Sequence, residues 1–449
     1  MARGFLAALA AFGALYLAFA GLYRYGVDGP VTNSVDFRAF YCAGQALRTG
    51  GDPYRLEPTK SCQVATLTEN GLSGNGRTLP APFPPYGLSF FALISLLPIR
   101  AATQAWLAAS VLALCCSALL VGRLSSLNIT AVTLALLGSV GFASLVIGQV
   151  VPIVFCAAVF AAVRARHGDG RGAALGAAVA ALEPHMALPL WLGLFAGVPA
   201  ARRSLLVAAA ALVAISLLAG PALSLEYFRQ VLPLHARSEL YNFSAQYSAA
   251  ALAAVAGIAP NIDAAIGLGS YAIMLVLGIV VGMRLARRHD DPAFAAVTPM
   301  AAALLGGEFL HITQIALALP FALILYARLP RRSLVSAGVL VAIVALAVPW
   351  ETIAELPIVW DRHPMSHAVG RRPVLQPAAP ADSVEVSYGQ YIDAFAERID
   401  PRSIPEQLAW KLPTWLGLGF VLCVGLSASG ALTGVSRKAL YRRRLVTRA

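Results

Sequence analysis

Long apolar runs, broken at intervals by short basic clusters, make up most of the chain. Within them Ala, Leu, Val and Gly follow one another continuously, without the alternation in steps of two that marks a barrel strand. A segment apolar on all sides is a buried or lipid-facing helix, and roughly 20 such residues cross a bilayer. Runs of this kind fall at 5–23, 101–121, 127–146, 150–163, 172–183, 185–199, 204–224, 263–285, 293–308, 310–327, 333–350 and 413–431. The pattern predicts an all-α fold, a polytopic transmembrane helical bundle of about 12 crossings. Several runs are short and meet at polar turns: Gly148-Gln149, Glu183-Pro184-His185, and the stretch around Glu308 and His311. Short helices are tolerated where they face a water-filled cavity.

The basic clusters orient these runs. They are Arg123; Arg164, Arg166 and Arg171; Arg202 and Arg203; Arg284, Arg287 and Arg288; Arg328, Arg331 and Arg332; and the tail from Arg437 to Arg444. The positive-inside rule puts all of them, and both chain ends, in the cytoplasm. One apolar stretch, 83–97, is bounded by prolines, and counting it as a crossing would invert every later cluster. It is read as re-entrant or membrane-lying. The run 5–23 is read as a retained helix, although Ala18-Phe19-Ala20 could pass as a cleavage site. The organisation is then a transmembrane domain over 1–350, an extracytoplasmic loop over 351–412, and a last helix with a basic tail over 413–449. Further outer loops fall at 24–100 and near 225–262.

Composition agrees with the pattern. Of 449 residues 58% are hydrophobic and only 12% charged, about half the charged share of a soluble domain. The net charge of +12 resides in the loop clusters and reads as topology, so no nucleic-acid partner is expected. The six cysteines form no CxxC pair, which leaves a cysteine metal site without support. Cys42 and Cys62 share the first outer loop; a disulfide in an oxidising compartment and two free thiols both remain open.

Polar residues inside apolar runs are costly and therefore candidates for function. Glu183, His185, Glu308 and His311 all sit at predicted outer turns, with Gln149 at a third. Each is either a solvated or helix-pairing turn residue or a group lining one outward cavity. Glu308 and His311, three apart, would share a helical face. In the first outer loop, 33–54 shows Phe37, Phe40, Tyr41, Gly44 and Leu47 at helical spacing, bounded by Ser34 and by Gly50-Gly51. It reads as an amphipathic helix lying on the membrane surface. Asp36 falls in its first turn, either as a solvated partner of the helix dipole or as an ionised base for a hydroxyl proton. His235, His363 and His367 lie in outer loops and read as solvated, and His167 and His289 belong to cytoplasmic clusters. The stretch 388–399 is helical in its spacing and could cover the cavity.

Taken in order, these features resemble glycosyltransferase family 87, of the integral-membrane C-type superfamily. The likeness rests on Val35-Asp36-Phe37 followed by Gly50-Gly51-Asp52-Pro53-Tyr54, on Phe83-Pro84-Pro85-Tyr86, on Gly148-Gln149, and on Asn242 with Ser244 in the later outer loop. It covers roughly residues 1–330. The resemblance implies transfer of a sugar, a mannose-like hexose or a pentose, from a polyprenyl-phosphate donor to a glycolipid or glycan acceptor. The reaction would invert the anomeric carbon on the extracytoplasmic face of the cell membrane, among membrane lipids. Asp36 matches the family's catalytic carboxylate. Arg38, Gln149, Glu183, His185, Asn242, Glu308 and His311 are the candidates for holding phosphate or sugar. The lipid phosphate leaves without an acid, so no cofactor is required and no metal is expected; a set of Glu183, His185, Glu308 and His311 was the one metal arrangement the spacing raised. Glu183-Pro184 departs from the family's frequent Lys-Pro and replaces a cation with a carboxylate. A lipid or solute transporter using the same cavity, and a non-catalytic member of the fold, are the alternatives.

Overall fold

A computed structural model describes residues 34–68, 78–240, 246–330, 332–348, 350, 380–396 and 404–430. The run 5–23, Asn242, His363, His367, the basic tail and most of 351–412 lie outside the described residues. All regular structure among the described residues is helical; the β contacts are two isolated bridges, Arg55 with Ser383 and Gln246 with His311.

Among the described residues, four helices are long and apolar enough to cross a membrane: Ile99–Ser125, Pro199–Ala219, Ile262–His289 and Leu408–Ala428. The other predicted crossings that are described form shorter or broken helices, so about twelve crossings do not follow from helix length. The breaks have visible causes. The run 127–146 divides into Ile129–Leu136, a π-helical turn Leu137–Gly141, and Phe142–Ile147. The run 310–327 begins as the 3-10 helix Ile312–Ala318 and becomes α-helical only at Leu319–Arg328, with Pro320 in its first turn. The stretch 83–97 contains the helix Pro85–Ile94, 10 residues long. At 1.5 Å per residue it reaches about 15 Å, half of a hydrocarbon core.

Helices pack in pairs, some of them adjacent in sequence and some not. Val151–Arg166 lies against Gly170–Ala180 and Ile99–Ser125, Pro260–His289 against Ala293–Ala303, and Leu334–Ala347 against Ile404–Ala428. Ala293–Ala303 is buried along its whole length, and Pro184–Gly197 also packs on it. By contrast Leu206, Val207, Val213 and Leu218 of Arg202–Ala219 are exposed, an apolar face suited to lipid.

The ends that carry basic residues converge. Asp291, buried, binds Arg166 through Nε at 2.8 Å and Nη2 at 2.6 Å, and Arg328 Nη2 at 2.9 Å. Arg166 also donates to the Leu124 carbonyl at 2.8 Å, and Arg288 to that of Ala428 at 2.7 Å. Clusters assigned to one side of the membrane from charge alone thus meet at one end of the bundle.

The amphipathic segment of the first loop forms Val35–Arg48, as expected, but not as a helix lying bare on lipid. Phe37, Ala39, Phe40, Tyr41, Cys42, Ala43, Gly44 and Ala46 are all buried, and the helix packs on Pro85–Ile94. A Cβ on Gly44 would come within 2.4 Å of the Phe91 backbone, so only glycine permits this approach. Ser34 occupies the N-cap with φ 68° and makes no side-chain cap bond, contrary to the cap predicted for it. Cys42 and Cys62 are joined in a disulfide, which resolves the two readings left by the sequence.

Candidate active site

Asp36 is placed by the turn that faces it. The Gly148-Gln149 turn ends Phe142–Ile147, and Gly148 has φ +77°, where an L side chain is strained. A Cβ there would also stand 2.8 Å from Phe37 Cβ and 3.0 Å from Ser34. The turn therefore seats directly on the first turn of Val35–Arg48. Trp106 fixes it from behind, donating from Nε1 to the Gly148 carbonyl at 2.9 Å while its ring stacks on Phe37 at 5.2 Å. Gln149 is thereby aimed at Asp36, and its Nε2 donates to Asp36 Oδ2.

The two groups open onto a cavity of about 550 Å3, within the range of small-molecule sites. Aromatic and proline side chains form one wall, Phe40, Phe83, Pro84 and Tyr86 among them, and Glu183, His185, His235, Glu239, His311, Gln314 and Tyr388 supply the polar atoms. Phe40 meets Phe83 edge-on at 4.7 Å. Tyr54 donates to the Phe83 carbonyl at 2.7 Å, and Tyr86 to that of Ala181 at 2.7 Å, tying this wall to the Glu183 hairpin.

That hairpin turns because Pro184 starts Pro184–Gly197 immediately after Glu183. Its side chains are held by Gln314. The Gln314 Oε1 accepts the His311 N–H at 2.9 Å, so its amide nitrogen must face the other way. There it lies 3.3 Å from Glu183 Oε2 and 3.0 Å from His185 Nε2. Since that nitrogen only donates, His185 Nε2 accepts and Nδ1 carries the proton, 3.6 Å from Glu183 Oε2. The His185 carbonyl accepts from the Tyr271 hydroxyl.

On the facing side, Leu232–Leu240 presents His235 and Glu239, four residues apart on one face. His235 is 7% exposed, not solvated as its loop position suggested. Its Nδ1 lies 3.3 Å from Glu385 Oε2 of the helix Val384–Ala396. Burial opposes protonation of His235, but Glu385, Glu239 and Glu183 outweigh it and hold its pKa above the ordinary value. Burial likewise raises the Glu385 carboxyl, against the pull of His235. Tyr388 donates to Glu239 Oε1 at 2.9 Å.

Of the residues singled out in the sequence, Asp36, Gln149, Glu183, His185 and His311 line this one cavity. Arg38 and Glu308 are not among its lining residues. Glu308 does not share a helical face with His311, because 307–311 is not helical; its carbonyl accepts from Ser248 at 3.0 Å. His235, Glu239, Gln314 and Tyr388 were missed. The spacing of His235 and Glu239 was a signal for two of them; Gln314 lies within an apolar run and carried none.

No curated protein and no solved structure matches the chain. A family model does, over residues 82–310, just over half of the chain. The match takes in the Gly148-Gln149 turn, the Glu183 hairpin and the helix bearing His235 and Glu239; Asp36 precedes it. With all-helical architecture, long apolar helices and a cavity of this make-up, the chain belongs to glycosyltransferase family 87, a family of membrane glycosyltransferases.

Proposed function

We propose that the protein transfers a sugar from a polyprenyl-phosphate donor to the hydroxyl of a glycolipid or glycan acceptor, with inversion, at the extracytoplasmic face. The observation that carries this reading is Asp36, oriented by Gln149 on the rim of a cavity that also holds Glu183, His185 and His311. In the reaction the acceptor oxygen attacks the anomeric carbon and its proton passes to Asp36. The bond from that carbon to the phosphate oxygen breaks, and the lipid phosphate leaves with the electron pair. Because phosphate is a good leaving group, a base and correct alignment suffice. The polar atoms of Gln149 and Glu183 suit sugar hydroxyls, and the apolar wall suits the first isoprene units.

The extracytoplasmic placement draws on two features. A disulfide joins Cys42, in the helix that bears Asp36, to Cys62 of Leu56–Thr68, and disulfides persist in oxidising compartments. The basic helix ends gather around Asp291, and neither Asp291, Arg166 nor Arg328 lines the cavity. Of the two residues a transporter would use, Glu308 does not line the cavity and His311 does.

The test is transfer of label from polyprenyl-phosphate sugars in membranes carrying the wild-type chain or Asp36→Asn. We expect Asp36→Asn to lose about a hundredfold to ten-thousandfold in rate with unchanged expression and melting temperature. Transfer at the wild-type rate would remove Asp36 from the mechanism.

A further inference from the structure

The described residues lining the cavity include Asp36, Glu183 and Glu239 but no lysine or arginine. A lipid phosphate entering it adds more negative charge. Phosphate sites normally supply cations or oriented N–H donors. Among the described lining residues, positive charge can then come from the histidines or from a cation they hold.

We infer that His235, Glu239 and His311 form a binding site for one divalent transition-metal ion of the Zn2+ class, whose open coordination position faces the cavity and takes a phosphate oxygen of the lipid donor. The phosphate half of this inference rests on the transferase reading above; the metal half does not. One ligand atom from each of the three residues lies within 4.8 Å of the others. Donors about 2.1 Å from a common tetrahedral ion are roughly 3.4 Å apart, so small side-chain movements complete the set. Two imidazoles and one carboxylate, with a fourth position open, is a ligand set that zinc accepts at reactive sites, and nitrogen donors disfavour Mg2+ and Ca2+.

The surroundings are those of a built site. His235 and Glu239 sit four apart on Leu232–Leu240, which fixes their relative position. Glu385 Oε2, 3.3 Å from His235 Nδ1, leaves Nε2 for the metal and orients the ring, as carboxylates do behind metal-bound histidines. Tyr388 donates to Glu239 Oε1 at 2.9 Å, and Glu239 Oε2 lies 3.7 Å from His311 Nε2. The Gln246 amide, its oxygen on the Leu310 N–H at 2.7 Å, turns its nitrogen to Glu239 Oε2 at 3.2 Å and lies 3.4 Å from His311 Nδ1; a metal on His311 Nε2 would place the proton on Nδ1, so Gln246 would then keep its bond to Glu239 alone. The set shares only His311 with the arrangement the sequence raised, Glu183, His185, Glu308 and His311.

The experiment uses the full chain in nanodiscs, stripped with chelator and titrated with Zn2+. Metal content and calorimetry should give one Zn2+ per chain. Glu239→Gln and His311→Ala should abolish this binding, and Glu385→Gln, which removes no ligand, should weaken it by about tenfold to a hundredfold. Melting temperatures of the apo forms check that each variant folds. Asp36→Asn should bind Zn2+ as the wild type does, whatever its effect on transfer. The affinity for a polyprenyl phosphate should rise at least tenfold when Zn2+ is bound. No bound Zn2+ in the folded wild type, or unchanged binding in folded Glu239→Gln and His311→Ala, overturns the site. Zn2+ binding with no change in polyprenyl-phosphate affinity overturns its role toward the donor.

Discussion

Asp36 and Gln149 are separated by 113 positions in the chain and meet through one hydrogen bond. A carboxylate that accepts a proton in the reaction gains from a donor that fixes its other oxygen, because its free lone pairs then point at the acceptor. A hydrogen bond to a charged group contributes about 1.5–3 kcal/mol. Gln149→Leu should therefore lower kcat/KM for sugar transfer by about tenfold or more, with a fall in melting temperature from the loss of the same bond. A rate unchanged in that variant would separate Gln149 from the base. Asp36 and Gln149 were both legible in the sequence, since a carboxylate just past an apolar run and a Gly-Gln turn stand out locally. His235 was not. An outer-loop histidine reads as solvated until Val384–Ala396 is known to pack over it and bury it beside Glu385.

At the scale of elements, the Gly148-Gln149 turn decides whether those two residues meet. Its φ of +77° and its 2.8 Å approach to Phe37 admit no Cβ. A left-handed backbone costs a non-glycine residue about 1–2 kcal/mol, and the clash adds to this. Gly148→Ala should thus lower the melting temperature and transfer activity together, with larger loss of activity than Gln149→Leu. Element boundaries followed the sequence where apolar length alone set them, as in Ile99–Ser125 and Pro260–His289. They departed from it where the backbone had to satisfy something else. The run 127–146 breaks into a π-helical turn, and 310–327 begins as a 3-10 helix that brings Gln314 to Glu183 and His185. Hydrophobic periodicity does not distinguish such turns from a continuous helix.

Across the described residues, two of the polar centres lie where helices of the largely apolar bundle meet. One is the cavity; the other is Asp291 between Arg166 and Arg328. Asp291 is 2% exposed, and it is the shared acceptor that lets two basic helix ends pack together. Asp291→Ala should lower unfolding stability by about 2 kcal/mol, read as a fall in melting temperature in detergent. Asp291→Asn, which keeps one acceptor oxygen, should lose less.

By itself the sequence determined the all-helical architecture, the membrane class and the family. Each follows from composition, from the length of apolar runs and from short motifs, and these are local properties. It also picked out Asp36, Gln149, Glu183, His185 and His311, because a polar group in an apolar segment is expensive wherever the segment goes. Only the tertiary structure decided which of these share a cavity, that Cys42 and Cys62 pair, that Glu308 stands apart, and that His235, Glu239 and Gln314 join the site. Those outcomes depend on distances between residues far apart in the chain. Such distances are set by helix packing, by close glycine contacts and by backbone turns, none of which hydrophobic periodicity encodes.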